Sequence, residues 1–232
     1  MNTSVVVPGD LPRLLQLTRD FAAHINQLHG DSADSPTIRV AAFHMAHNHV
    51  AMAMELLSFY YSQWAAGAQG VPISDLFQTH QIRSVSRPAG QVRQENGERV
   101  MEVLKRLFIA SMSSVEFSAK ENLRVVGTQM VAQWLSNNRR GRRIYLSDIM
   151  TGSRECGVIG ADVWQRWKDL IFFRNVVVHN NGVSDKDMDF ACDGKTILVR
   201  TDKMITGSLD FFAVLTRMLL EQHRDWIVAT NV

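Results

Sequence analysis

Cysteine is scarce in this chain. Cys156 and Cys192 are the only two, and their spacing fits no zinc-ligating pair. Such scarcity excludes a disulfide-stapled scaffold and suits a reducing cytoplasm. Long apolar runs are missing too, since none approaches the roughly 20 residues a membrane helix needs. The opening Met1-Asn2-Thr3-Ser4-Val5 lacks the basic start and apolar stretch of a signal peptide. Excess charge is absent: a net charge of +2 is too small for a nucleic-acid coat, so any affinity for polyanions must come from local clusters. Nor is there a glycine-rich phosphate loop, a Gly-x-Ser-x-Gly or an HExxH, which removes the common kinase and hydrolase readings. The expectation is a soluble cytoplasmic protein with no membrane partner.

What remains is an ordered globular composition, 46% hydrophobic and 21% charged. Eleven Met and eleven Phe against three Tyr suggest a core of interlocking helices. Apolar positions Leu14, Leu17, Phe21, Ile25 and Leu28 recur at helical spacing over 11–28. Turn chemistry at 31–36 precedes a long helix over 37–64. The polar stretch 71–98 reads as a loop, with a short helix around 74–80. From Glu98 a stripe of Val100, Leu104, Leu107 or Phe108, Met112, Val115, Ala119, Leu123, Val126, Met130 and Trp134 predicts one helix to Asn137, able to bend at Gly127. A basic turn over 137–143 leads into a loop through Gly160 with a short strand at 144–146. A helix over 161–179 follows, then a hairpin over 189–201 turning at Asp193-Gly194, and a closing helix over 208–227. The architecture predicted is an all-α, up-and-down helical bundle with one small β-hairpin near the C-terminus. It forms a single domain, 1–232, divided into 1–36 (helix and linker), 37–97 (long helix and polar loop) and 98–232 (the core).

The chemistry concentrates at Arg174-Asn175-Val176-Val177-Val178-His179-Asn180-Asn181-Gly182. On a helix Asn175 and His179 share a face and Arg174 projects beside them. Gly182 suggests that the helix ends there. Arginine binds phosphate permanently, and histidine carries a proton near neutral pH. RNA cleavage by internal attack needs a base for the 2′-hydroxyl, an acid for the leaving oxygen, and positive charge at the phosphate. These residue types can supply all three, more completely if two copies meet. The plainer alternative is a helix cap, in which His179 bonds the terminal carbonyls and Arg174 pairs with a carboxylate.

The segment resembles the R-x(4–6)-H signature of the HEPN superfamily, in the form where a polar residue follows the arginine. Its context is similar as well: a long helix before it, then an Asp-Gly-Lys-x-Ile hairpin and a terminal amphipathic helix. The resemblance spans about 98–227, with the helix at 37–64 joining the bundle. It implies a HEPN-like bundle and a metal-independent, cofactor-free endoribonuclease acting as a homodimer with facing motifs. Arg174 would stabilise the scissile phosphate, His179 would transfer protons, and Asn175 would orient either. Products would carry 2′,3′-cyclic phosphate and 5′-hydroxyl ends. A supporting acidic residue on an earlier helix is implied too, and Glu116 is its candidate. The biological settings implied are toxin–antitoxin or phage defence, with RNA as substrate and an antitoxin or other regulatory protein as partner. Some HEPN domains are instead non-catalytic modules that bind RNA, a nucleotide or a protein.

Three further features stand outside the motif. Arg139, Arg140, Arg142 and Arg143 form the densest positive run and read equally as a solvated loop or as a non-specific RNA contact. Tyr145, Trp164 and Trp167 offer aromatic surface, the tryptophans more as core or dimer contacts than for stacking. His44 and His47 could share a metal at i, i+3. However, His49 points away and no carboxylate lies within the cluster, so a polar helix face is preferred and no metal site is assigned.

Overall fold

A computed structural model describes residues 41–68, 89–125, 129–179, 182–192, 195–203, 205 and 211–230, together with Arg13, Gln16 and Arg19, three isolated helical positions. The helix expected over 11–28 otherwise lies outside these residues, as does the short one at 74–80. Of the described residues 77% are helical, in six helices, and one antiparallel hairpin completes the structure.

Helix α1 (Ala41–Ala68) buries Ala42, Phe43, Ala46, Val50 and Ala53, a stripe rich in small residues that lets a neighbouring helix approach closely. Helix α2 (Ala89–Val125) runs through the centre and packs most extensively against α1 and the C-terminal helix. Leu104, Leu107, Phe108, Met112, Val115 and Ala119 carry its buried face at i, i+3 and i+4. The polar segment expected to be a loop through 98 is helical from Ala89 onward. Its unbranched Gln91, Arg93, Gln94 and Glu95 favour helix despite Gly90 and Gly97.

Helix α3 (Gln129–Asn138) follows, and 126–128, where a bend at Gly127 was expected, lie outside the described residues. The basic turn follows as expected, but no strand forms at 144–146. Leu146 opens α4 (Leu146–Glu155), with Tyr145 as its N-cap. The Tyr145 amide donates to Asp148 Oδ2 (3.0 Å), and the Asp148 amide donates back to the Tyr145 carbonyl (3.0 Å). That local exchange starts a helix where a short strand was expected. Leu146, Ile149 and Met150 bury its inner face, and Gly152 lets the Trp134 indole of α3 lie against its backbone.

Helix α5 (Ala161–His179) has the bounds expected, with Trp167, Leu170, Phe173, Val176 and Val177 buried. Strands β1 (Met188–Cys192) and β2 (Lys195–Val199) pair antiparallel from Met188↔Val199 to Cys192↔Lys195, leaving two residues between them, as the predicted turn requires. Asp193 and Gly194 themselves lie outside the described residues. The Phe190 ring meets Phe173 edge-on at 4.9 Å and so seats the hairpin on α5.

Helix α6 (Phe211–Thr230) buries thirteen of its twenty residues and closes the core against α2. His223 lies fully buried within it, stacked on Phe43 (5.8 Å) and Trp226 (6.1 Å), with Nε2 hydrogen-bonded to the Ser118 hydroxyl (2.9 Å). Burial pushes its imidazole down to about 3. Trp226 Nε1 donates to Ser153 Oγ (2.9 Å), tying α6 to α4.

Candidate active site

The end of α5 is held by main-chain bonds. Gly182, at φ 85°, donates its amide to the Val176 carbonyl (3.0 Å) and accepts from the Ile205 amide (2.8 Å). Ser184 exchanges amide–carbonyl bonds with Lys203 (3.2 Å) and Asp202 (2.9 Å). A positive φ favours glycine, which accounts for Gly182 just past the histidine. The backbone carrying His179 is thus pinned by the segment leaving the hairpin.

Along α5 the buried stripe leaves Ile171, Arg174, Asn175 and His179 on an adjoining face. There they line a cavity of about 270 Å³. The opposite wall is α2, through Met112, Ser113 and Glu116, and the third wall is the start of α4, through Tyr145, Leu146 and Ser147. The volume is close to the lower end of small-ligand pockets, about 300 Å³, so the cavity suits a group of nucleotide size.

Arg174, half-buried, spends Nη1 on Asn175 Oδ1 (3.1 Å) and His179 Nε2 (3.3 Å). A guanidinium only donates, so Nε2 is the acceptor here and Nδ1 carries the ring proton. The helix-cap alternative calls for different partners. Among the described residues Arg174 bonds its own motif and no carboxylate, and His179 bonds Arg174 and no terminal carbonyl. Asn175 and His179 are both exposed and accessible to a ligand. Nε and Nη2 of Arg174 have no protein acceptor among the described residues, which leaves two donors for a phosphate.

Glu116 reaches the same cavity but forms its ion pair with Lys120, one turn along α2, rather than with Arg174. Its negative charge is therefore matched locally. The first turn of α4 brings the positive end of a helix dipole to the cavity wall. The cavity thus combines one fixed cation, an imidazole bonded to that cation through Nε2, and the first residues of a helix. Such a set can bind a phosphodiester and accept a proton.

The four arginines of the basic turn do not act together. Arg139 Nε is bound to Asp148 Oδ1 (2.7 Å), Arg143 lies over the Tyr145 ring (5.5 Å), and Arg140 is exposed. Arg142 lines a separate cavity of about 450 Å³ with Lys120, Arg124 and the apolar Leu123, Leu135 and Ile149. Trp167 is core. Trp164 has the Arg154 and Lys168 cations at 4.1 and 4.0 Å from its ring. His49 Nδ1 bonds the Met45 carbonyl (2.7 Å), and His44 is exposed. Among the described residues no group of three or more His, Cys, Asp or Glu converges as metal ligands would. None of their helices is long and apolar enough to cross a membrane.

Sequence reasoning missed Ser113 and Ser147 as cavity residues, and it placed Tyr145 with the basic run rather than at the motif. Ser113 was within reach, because it stands three before Glu116 and so on the same face of a helix. Ser147 and Tyr145 reach the cavity only through the packing of α4, which the sequence did not announce. No family model matches the chain, and neither curated proteins nor solved structures show a match.

Proposed function

We propose that this protein is a metal-independent endoribonuclease of HEPN type. The observation that carries the reading is the convergence of Arg174, Asn175, His179 and Glu116 in one cavity, with Arg174 bonded to His179 and Asn175 rather than to a capping partner. A bound phosphate draws the Arg174 guanidinium off His179 Nε2, which then accepts the proton of the 2′-hydroxyl, whose oxygen attacks the adjacent phosphorus. Arg174 stabilises the charge that builds on the phosphate, and Asn175 holds the guanidinium in place. The 5′-oxygen leaves with a proton, giving 2′,3′-cyclic phosphate and 5′-hydroxyl ends. One cavity presents one histidine, so the acid for the leaving oxygen comes from the same motif of a second copy across a two-fold axis. The setting that suits such an enzyme is cytoplasmic toxin–antitoxin or phage defence, with an antitoxin or other regulatory protein holding it in check.

The test is cleavage of varied RNAs in excess EDTA by the wild type and by His179→Ala and Arg174→Ala. Loss of the histidine should cost about 10²–10⁴-fold in rate. Both variants should fall far below the wild type, and the wild-type products should carry cyclic phosphate ends. A folded wild-type dimer that cuts none of these RNAs refutes the reading. Inhibition by EDTA would redirect attention to a metal at His44 and His47.

A further inference from the structure

Tyr145 stands where the basic turn meets the cavity. It is 50% exposed, yet it lines the cavity with Arg174, Asn175 and His179. Its backbone is extended, with φ −110° and ψ 165°, and is fixed on both sides. The amide donates to Asp148 Oδ2, and the carbonyl accepts the amides of Asp148 (3.0 Å) and Ile149 (3.2 Å). Asp148 is held in turn through its other oxygen by Arg139 Nε at 2.7 Å. An aromatic ring left half in solvent forgoes burial that the core could have given it. Here the main chain carrying the ring is held by three hydrogen bonds, Asp148 is held by a fourth, and the ring sits beside a phosphate-binding arginine. The Arg143 guanidinium at 5.5 Å from the ring centroid adds positive charge where a backbone would leave the cavity.

We propose that Tyr145 is the base-stacking platform of this cavity, that Arg139 is a positioning residue holding it through Asp148, and that the substrate class is single-stranded RNA. The inference rests on the reading of the cavity as a ribonuclease site and names what that site selects. A base in a duplex is already stacked and cannot lie on the ring, so RNA must present an unpaired base beside the scissile phosphate. Arg139 acts first through Asp148, to which its Nε is bound.

The test uses the full chain with three versions of one short RNA: single-stranded, the same strand made abasic next to the cleavage position, and its perfect duplex. A fourth version, 2′-deoxy at the cleavage position, reports binding without reaction. Tyr145→Ala should raise KM about 5- to 100-fold on the single strand, with kcat changing less, and Tyr145→Phe should retain wild-type values. On abasic RNA the Tyr145→Ala penalty should vanish. Arg139→Gln should show part of the same KM defect and add nothing to Tyr145→Ala. Equal Tyr145→Ala penalties on intact and abasic RNA, or duplex cleaved as fast as single strand, overturn the platform while wild-type cleavage still upholds the ribonuclease. Binding of the blocked RNA that depends on Tyr145 and on the base, without cleavage of the ribose form, supports the platform and overturns the nuclease. No binding and no cleavage overturns both.

Discussion

Acid should destabilise this protein through one buried ring, and the size of the effect follows from where that ring sits. His223 has an ordinary value of 6.5 when exposed and is pushed down to about 3 by complete burial. Between these values the unfolded chain binds a proton that the folded chain refuses, so stability rises with pH across the window and is lost as pH falls from about 6.5 toward 3. Each pH unit within it is worth about 1.4 kcal/mol. From pH 7 to pH 4 this single group should therefore remove about 3 kcal/mol, a large share of the ~5–15 kcal/mol typical of a folded domain. The perturbation is His223→Phe, which keeps an aromatic ring between Phe43 and Trp226 and removes the titrating group. At pH 7 the variant should be about 1 kcal/mol less stable, from loss of the bond to Ser118. At pH 4 the order should invert, with the variant about 2 kcal/mol ahead. Urea unfolding followed by tryptophan fluorescence at pH 7, 5 and 4 reads both numbers. Other titrating groups are common to both proteins and cancel in the difference. Parallel pH profiles for wild type and variant would refute the reasoning.

Gly152→Ala sets a helix-propensity gain of about 1 kcal/mol against steric overlap. The new Cβ would lie 2.8 Å from Trp134 Cε3, so overlap should win, costing about 1–3 kcal/mol and lowering Tm; a rise in Tm contradicts the packing described. Phe173→Ala should cost about 3–5 kcal/mol in chemical denaturation, because its ring meets Phe172, Phe190 and Phe211. His179→Ala, at an exposed position, should leave the denaturation midpoint within about 0.5 kcal/mol of wild type, so that its loss of cleavage is chemical rather than structural.

Strong periodicity made some elements readable in the sequence. Helix α5 has the expected bounds because its apolar positions recur at helical spacing and Gly182 marks where it stops. The hairpin was legible from its turn chemistry and α6 from its dense apolar face. Helix α4 was not. Thr151, Gly152 and Ser153 are small or polar and read as loop, and what makes them helical is tertiary: Trp134 on Gly152, Trp226 bonded to Ser153, and Ile149 and Met150 in the core. The candidate site divides along the same line. Arg174, Asn175 and His179 form a local motif, and Glu116 was chosen as a lone acid on an apolar stretch. Ser113, Tyr145 and Ser147 join them only because three helices meet.

The tether beyond α5 has an evolutionary consequence. Gly182, Ser184, Asp202, Lys203 and Ile205 fix the approach to His179 through amides and carbonyls, groups that nearly every residue type owns. Gly182 and Asp202 are also constrained by positive φ, and the buried Ser184 hydroxyl by its bonds to Lys186, whereas Lys203 is exposed and contributes main chain alone. Substitutions at Lys203 should therefore drift almost freely in a saturation library scored for activity, while those at Gly182, Ser184 and Asp202 should be restricted. Insertions or deletions of one residue, which shift every amide partner at once, should be rejected.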